Sequence, residues 1–302
     1  MTPLATARLA VPVAGVVCAL LVWQPASFAQ PSAFDRLLVV MAASVRASVP
    51  LWADIVVTED YVQERRREPR VSRRLRSEIL LAQHPAAQRD WLLFRDVLEV
   101  DGGAIPERQR RLTDLFITPT AASWTLAREI AQAGGRHHLP GSSVAITNPF
   151  IVVALMDEYY RPFLRFKQGR EETVDGKRMR HVQFEERVIE ERVALSDHVR
   201  MIKRSIPLLV TGLVEGSALV DPDTGRIMRT QLRIGDKLGA PTAATTFVYH
   251  EPLSVMVPRE MTTSWREPDD SRAVVSGTAV YSDVRRFQVS TEEAVRPPLR
   301  DP

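Results

Sequence analysis

The sequence is poor in cysteine, since Cys18 is the only one among 302 residues. Cys18 lies in an apolar N-terminal run that we expect to be removed, so the mature chain has no thiol for a disulfide, a zinc site or a cysteine nucleophile. An excess of one charge is also lacking, because 40 Lys and Arg residues face 37 Asp and Glu residues. A nucleic-acid partner is therefore not expected, since proteins that bind nucleic acids carry a basic excess on one face.

Common metal and catalytic motifs are lacking as well. The sequence has no HExxH motif, no EF-hand loop, no Gly-x-Ser-x-Gly elbow and no glycine-rich phosphate loop. His137 and His138 are adjacent, which would turn them to opposite faces of a strand, and the glycines and proline around them predict a solvated loop. Asp221 and Asp223 lie in an Asp-Pro-Asp-Thr-Gly segment, which is too short to surround calcium and is typical of a hairpin turn.

A cluster of acids is the remaining candidate for acid–base chemistry. Arginines alternate with these acids, which favours a salt-linked, solvent-facing surface over a pair of catalytic carboxylates. We therefore predict no catalytic residue, no cofactor and no metal, and a hydrolase with an unrecognised site is the least favoured alternative. The acids are Glu185, Glu186, Glu190 and Glu191.

Residues 1–29 have the three parts of a secretory signal. Arg8 precedes an apolar run over residues 9–23, and Ser27-Phe28-Ala29 places small residues before a cleavage site at Gln30. The alternative, a membrane anchor, would need about 20 apolar residues. We expect a periplasmic or secreted protein with no transmembrane span after cleavage, a single domain over 30–296 and a disordered tail over 297–302.

Alternation of apolar and charged residues predicts strands along most of the mature chain. Residues 226–234, after the turn at 221–225, show it most clearly. Helical spacing predicts a helix from Ala33 to Trp52 that ends near Pro50, and others over 106–116, 121–133 and 149–159. Together these patterns predict an α+β fold, in which a strongly curved antiparallel sheet, an unclosed β-barrel, has helices covering its concave face.

Several segments resemble known families. The segment at 91–102, with Trp91, Phe94 and Asp101-Gly102, resembles one that recurs in large families of uncharacterised exported bacterial proteins. The half over 213–266 resembles the periplasmic lipoprotein-carrier superfamily, which sorts outer-membrane lipoproteins. The resemblance rests there on the hairpin Asp221 to Arg229 and on a strand with Val257-Pro258. It implies an unclosed barrel lidded by helices that holds acyl chains, and it brings no catalytic residue.

Two functions remain open after these exclusions. The first is a non-enzymatic periplasmic binding or carrier module for an apolar or acyl ligand, a lipid or a lipidated protein. The second is an interaction or sensory module with a filled core and no small ligand. The sequence does not indicate an oligomeric state. The predicted lining of the apolar cavity is Phe94, Phe166, Phe184, Leu232, Phe247, Tyr249, Met261 and Trp265.

Overall fold

A computed structural model describes residues 30–52, 55–84, 87–105, 125–127, 129, 133–139, 146–187, 214–235, 240–267 and 272–286. The predicted signal, the C-terminal tail, the helix over 106–116 and most of the helix over 121–133 lie outside these residues.

Eleven strands of the described chain form one antiparallel sheet, as the alternating patterns predict. The order across the sheet is β4-β3-β2-β1-β11-β10-β9-β8-β7-β6-β5, so β4 and β5 lie at opposite edges and the sheet is not closed. Whether the sheet presents a concave face to the helices remains a prediction. The strands are β1 (Ile55–Arg65), β2 (Val71–His84), β3 (Ala87–Val100), β4 (Gly103–Ala104), β5 (Leu164–Val174), β6 (Lys177–Glu186), β7 (Val214–Val220), β8 (Ile227–Ile234), β9 (Thr242–His250), β10 (Val255–Arg266) and β11 (Val274–Arg286).

The sheet consists of two meanders that meet in its middle. Strands β1 to β4 form one meander, β5 to β11 form the other, and β1 pairs with β11 along its whole length. In β1 this pairing turns Val57, Glu59, Tyr61 and Gln63 to one face. That face carries most of the apolar core, and the helices pack against it.

Helix α1 (Ala33–Trp52) begins at a capping box and packs on the sheet. The Ser32 Oγ atom accepts a hydrogen bond from the Asp35 amide, and the Asp35 carboxylate accepts one from the Ser32 amide. Its buried face joins the strand core, and the Trp52 Nε1 atom donates a hydrogen bond to the Met256 carbonyl at 2.7 Å. The helix continues through Pro50, which was expected to end it, for two more residues to Trp52.

The helix predicted over 149–159 is wrong in length. Helix α2 spans only Ile151–Leu155, and a 3-10 helix follows over Glu158–Phe163. The Asp157 carboxylate accepts a hydrogen bond from the Tyr159 amide at 2.8 Å. This bond caps the 3-10 helix and separates it from α2. Nearly all side chains of α2 are buried in the core, as its apolar pattern predicts.

Turn residues confirm the hairpins that the sequence predicts. Asp101-Gly102 and Asp175-Gly176 have positive φ at both positions, which the tight turns of hairpins require. In the β7–β8 turn the Gly225 amide donates to the Asp221 carbonyl at 2.8 Å, and the φ of Gly225 is +69°.

Gly225 is also a point of close approach between α1 and this hairpin. A Cβ atom at Gly225 would fall on the backbone carbonyl of Val40 and lie 2.8 Å from the amide of Met41. Backbone atoms of a helix cannot move aside as a flexible side chain would. The absence of a side chain at Gly225 therefore lets the N-terminal helix seat on the C-terminal meander.

We expect Gly225→Ala to lower the free energy of unfolding by about 1–3 kcal/mol more than Gly176→Ala does. Gly176 is the matched control, because its φ is also positive at +78° but a Cβ atom there would have nothing within 4 Å of it. Urea denaturation of both variants measures the difference. Equal losses would show that the helix does not depend on Gly225.

Candidate functional site

The predicted cavity residues are only partly brought together. Phe184, Leu232, Phe247 and Met261 are buried in the core cluster that also contains α1 and α2. Phe166 and Tyr249 are partly buried against the same cluster. Six of the eight residues thus lie in or against one apolar core.

The other two predicted residues lie elsewhere. Trp265 belongs to a small separate cluster with Leu139 and Val275. Phe94 is fully buried, but it pairs with Leu80, and Leu80 pairs with Val56. These three side chains lie on the sheet face opposite Val57, so the structure does not bring Phe94 together with the others.

Two small voids lie between the helices and the sheet among the described residues. One void lies beside Trp52, Phe150 and Tyr281, and another beside Trp52, Val153 and Phe247. Each has a volume of about 10 Å³, which is close to the least that one water molecule needs. These two voids are too small for an acyl chain.

A buried ion pair interrupts the apolar face at the junction of the two meanders. The Glu59 side chain on β1 is fully buried, and the Arg95 side chain on β3 is 11% exposed. The Arg95 Nε and Nη2 atoms donate to the two Glu59 oxygens at 2.7 and 3.0 Å, and Nη2 also donates to the Thr147 carbonyl at 2.7 Å. Burial alone would lower the pKa of Arg95, but Glu59 raises it above its ordinary value.

Two buried tyrosines lie beside this ion pair. The Tyr61 and Thr263 hydroxyls are 2.8 Å apart, and a Cβ atom at Gly277 would collide with the Tyr61 hydroxyl. Burial raises the pKa of Tyr61, and burial together with the Glu59 charge raises the pKa of Tyr281 well above its ordinary value. Both phenols therefore stay neutral and can serve as hydrogen-bonding groups.

His138 lies at the end of the same polar cluster and is not the solvated loop residue that the sequence predicts. It is partly buried, and its Nδ1 atom lies 2.7 Å from the Gln63 Nε2 atom. Because the Leu139 amide donates to the Gln63 Oε1 atom at 2.8 Å, the Gln63 nitrogen faces His138 and donates to it. His138 Nδ1 must accept, so the ring is neutral with its proton on Nε2.

This polar cluster was missed in the sequence, although a signal for it exists. Every second residue of β1 from Val57 onward faces the helices, and three of these positions carry polar side chains: Glu59, Tyr61 and Gln63. Polar side chains at inward positions of a strand indicate a buried network. Gln63 thus binds His138, and Arg95 binds Thr147. Arg73 adds a hydrogen bond to the His137 carbonyl at 2.9 Å.

A cavity of about 730 Å³ lies on the opposite face of the sheet, across β6 to β10. One row of its lining residues is a set of direct cross-strand neighbours that alternate with core residues. Phe184 and Leu232, which face the core, reach its floor. We call this cavity the outer trough. The row of cross-strand neighbours along it is Gln183, Ser217, Gln231, Ala244 and Thr262.

Charges at one end of the outer trough are paired with one another. The Lys167 Nζ atom and the Arg165 Nη1 atom each lie 3.1 Å from a Glu185 oxygen, and Arg233 donates to Glu215 at 3.0 Å. The Lys167 and Arg165 cations lower the pKa of Glu185. The acidic run was predicted to be a salt-linked surface, and Glu185 has this role.

Within the described ranges, no group of three or more His, Cys, Asp or Glu side chains could hold a metal ion. Among those same residues, no helix combines the length and the apolar character needed to span a membrane.

We expect Glu59→Leu and Arg95→Met to each lower the free energy of unfolding by about 3–5 kcal/mol, because each leaves its partner charged, buried and unpaired. The double variant should lose much less than the sum of the two, since it removes both charges. Chemical denaturation of the four proteins gives this coupling. Additive losses would contradict a direct ion pair.

We expect His138 to make the protein less stable in acid. Burial, with the Arg95, His137 and Arg73 charges, lowers the pKa of His138 from 6.5 to about 3. In the unfolded chain His138 binds a proton near pH 6.5, whereas in the folded chain it stays neutral until about pH 3. The contribution of His138 to the stability of the fold is therefore fully present above about pH 6.5 and is lost as the pH falls toward 3. At pH 5 the loss attributable to His138 should be about 1–2 kcal/mol.

His138→Gln provides the control, because it cannot ionise while carboxylates elsewhere still titrate. The difference in unfolding free energy between wild type and variant should shrink as pH falls from 7.5 to 5. A difference that is independent of pH would contradict a neutral, buried His138.

The comparisons with known proteins found similarity to solved structures. No protein-family profile matches the chain, and no curated protein matches it. The structure is similar to an outer membrane lipoprotein-sorting protein domain from Vibrio parahaemolyticus, with a TM-score of 0.37 and 12% identity over 86% of this chain and 96% of that one.

Two further solved structures are similar. A LolA superfamily protein from Nitrosomonas europaea has a TM-score of 0.34 and 10% identity over 82% of this chain and 94% of its own. A DUF1329 family protein from Desulfovibrio piger has a TM-score of 0.32 and 11% identity over 80% of this chain and 93% of its own. The first two of these three structures are described as lipoprotein-sorting or LolA superfamily proteins, the superfamily to which residues 213–266 bear the resemblance given above.

Proposed function

We propose that the protein is an exported, non-catalytic binding module that works through its surface and has a filled core. The observation that carries this proposal is the small size of the two voids that lie between α1, α2 and the sheet, about 10 Å³ each. Small-molecule sites have volumes of several hundred Å³. The signal-like residues 1–29 support export to the periplasm, and the charge balance of the chain gives no reason to expect a nucleic-acid partner.

The second candidate is a carrier for a lipid, an acyl chain or a lipidated protein. It is favoured by the position of the two voids, which flank Trp52 between both helices and the sheet and are lined mainly by apolar residues. A carrier would have to separate α2 from Trp52 and Phe247 to admit a chain. The ring of Phe150 lies 5.2 Å from that of Trp52 and 6.2 Å from that of Phe247, so this step would break an aromatic cluster.

A substitution beside a void distinguishes the two candidates. Val153 lines the void next to Phe247, whereas Val182 is fully buried in the sheet core and lines neither void. In a filled core, Val153→Phe should lower the unfolding free energy by about 1–3 kcal/mol, as much as the control Val182→Phe, because both overpack the interior. In a carrier, Val153→Phe should cost far less than the control.

Lipid analysis of the protein purified from a periplasmic fraction completes the test. We expect mass spectrometry under native conditions to show the bare mature chain. Copurified lipid that Val153→Phe displaces, with little loss of stability in that variant, would overturn the filled-core proposal and support the carrier.

A further inference from the structure

The outer trough has the features of a ligand site on the surface of the protein. It faces away from the helices, has a volume of about 730 Å³ and crosses five strands. Its depth follows from small side chains in neighbouring strands, among them Ser217 on β7, Ala244 on β9 and Ser264 on β10. The longer side chain of Lys167 on β5 lies at one side, and Gln183 on β6 and Gln231 on β8 lie in the same row as the small residues.

The polar side chains in the middle of the outer trough are uncommitted. In the part of the chain that the structure describes, the side chains of Gln183, Ser217, Gln231, Thr262 and Ser264 make no hydrogen bond to another residue. Amides and hydroxyls both donate and accept, so together they present a mixed field of donors and acceptors. Such a field matches a ligand that also carries both kinds of group at short intervals.

The charges of the site exclude an ionic ligand as its preferred occupant. Lys167 is paired with Glu185, and Arg233 is paired with Glu215, so both signs are present and each cation already has a carboxylate. An anionic ligand would meet the two carboxylates, and a cationic ligand would meet the two cations. Charge complementarity therefore favours a neutral molecule.

The apolar lining disfavours two other classes of ligand. Phe184 and Leu232 are at most 3% exposed, so the trough has no accessible aromatic or aliphatic anchor of the kind that protein partners and acyl chains use. Only small apolar groups such as Ala244 are partly exposed in it. A neutral, hydroxyl-rich ligand remains, and its hydroxyls would replace water on the amides and hydroxyls of the floor.

We propose that the outer trough binds a neutral oligosaccharide segment through hydrogen bonds from Gln183, Ser217, Gln231 and Thr262. The inference rests on the proposed function, because it names the surface through which the module binds and the class of ligand that it takes. The pyranose rings lie along the row of cross-strand neighbours from β6 to β10. The ion pairs at Glu185 and Glu215 border one end and exclude charged sugars.

The test titrates the full mature chain with maltotetraose, cellotetraose and chitotetraose, and with a polygalacturonate tetramer and a Gly-Ser peptide as charged and peptide counterparts. Backbone amide chemical shifts locate the site, and calorimetry gives the affinity. We expect at least one neutral tetramer to shift amides of β6 to β10, and the two counterparts to leave them unchanged.

A pair of threonine variants checks that binding occurs in the outer trough. Thr262→Trp places an indole in the trough, whereas Thr173→Trp makes the same change at an exposed strand position outside it. We expect the first to weaken sugar binding by about tenfold or more through steric exclusion and the second to leave it unchanged.

Three results would overturn the inference: no neutral tetramer binds, Thr262→Trp binds sugar as wild type does, or the peptide or the charged sugar occupies the trough instead. Failure of the proposed function is separate, because copurified lipid and the stability of Val153→Phe report on the interior and do not involve the outer trough.

Discussion

The pairing of β1 with β11 is the constraint on which the rest of the structure depends, since it joins two separate meanders into one sheet. It also brings the inward-facing polar residues of β1 to their partners, because Glu59 lies opposite Tyr281 and Gln63 opposite Gly277. A slip of one residue would turn Glu59 to the other face, and a slip of two would separate it from those neighbours. Buried polar groups without partners cost several kcal/mol, so this network makes the register of the junction specific.

The same dependence between distant parts of the chain recurs in α1. This helix precedes the first meander in sequence, yet its tightest contacts are with the second, at Gly225 and at the Met256 carbonyl. The first meander is joined to β11, and the helix is held by the β7–β8 turn and β10. Neither the N-terminal nor the C-terminal half therefore completes its own core, and we expect the two to unfold together.

Local chemistry explains how much of this could be predicted from the sequence. The turns at Asp175-Gly176 and Gly225 require positive φ, and the alternation in β8 assigns its faces, so these hairpins follow from a few residues. The alternation of residue types does not predict which face Phe94 occupies, because both faces of β3 carry apolar and polar residues. Its face is determined by the register in which Phe94 pairs with Leu80. The break after α2 depends on Asp157 as a cap. The burial of His138 depends on Gln63, which is 75 residues away in the sequence, so no local pattern could predict it.

The polar groups around the buried ion pair and those in the outer trough differ in how they are bonded, and this contrast bears on function. Beneath the helices, Glu59, Arg95, Gln63 and His138 are desolvated, and each is bound to a definite partner. In the outer trough, Gln183, Ser217 and Gln231 are accessible to solvent and make no side-chain hydrogen bond to another described residue. Side chains that already bind a partner within the protein contribute to stability and register. Exchanging those hydrogen bonds for bonds to a ligand would lower the stability of the fold. Side chains bound only to water can exchange it for a ligand at little cost, so specificity can develop on the outer face while the interior stays packed.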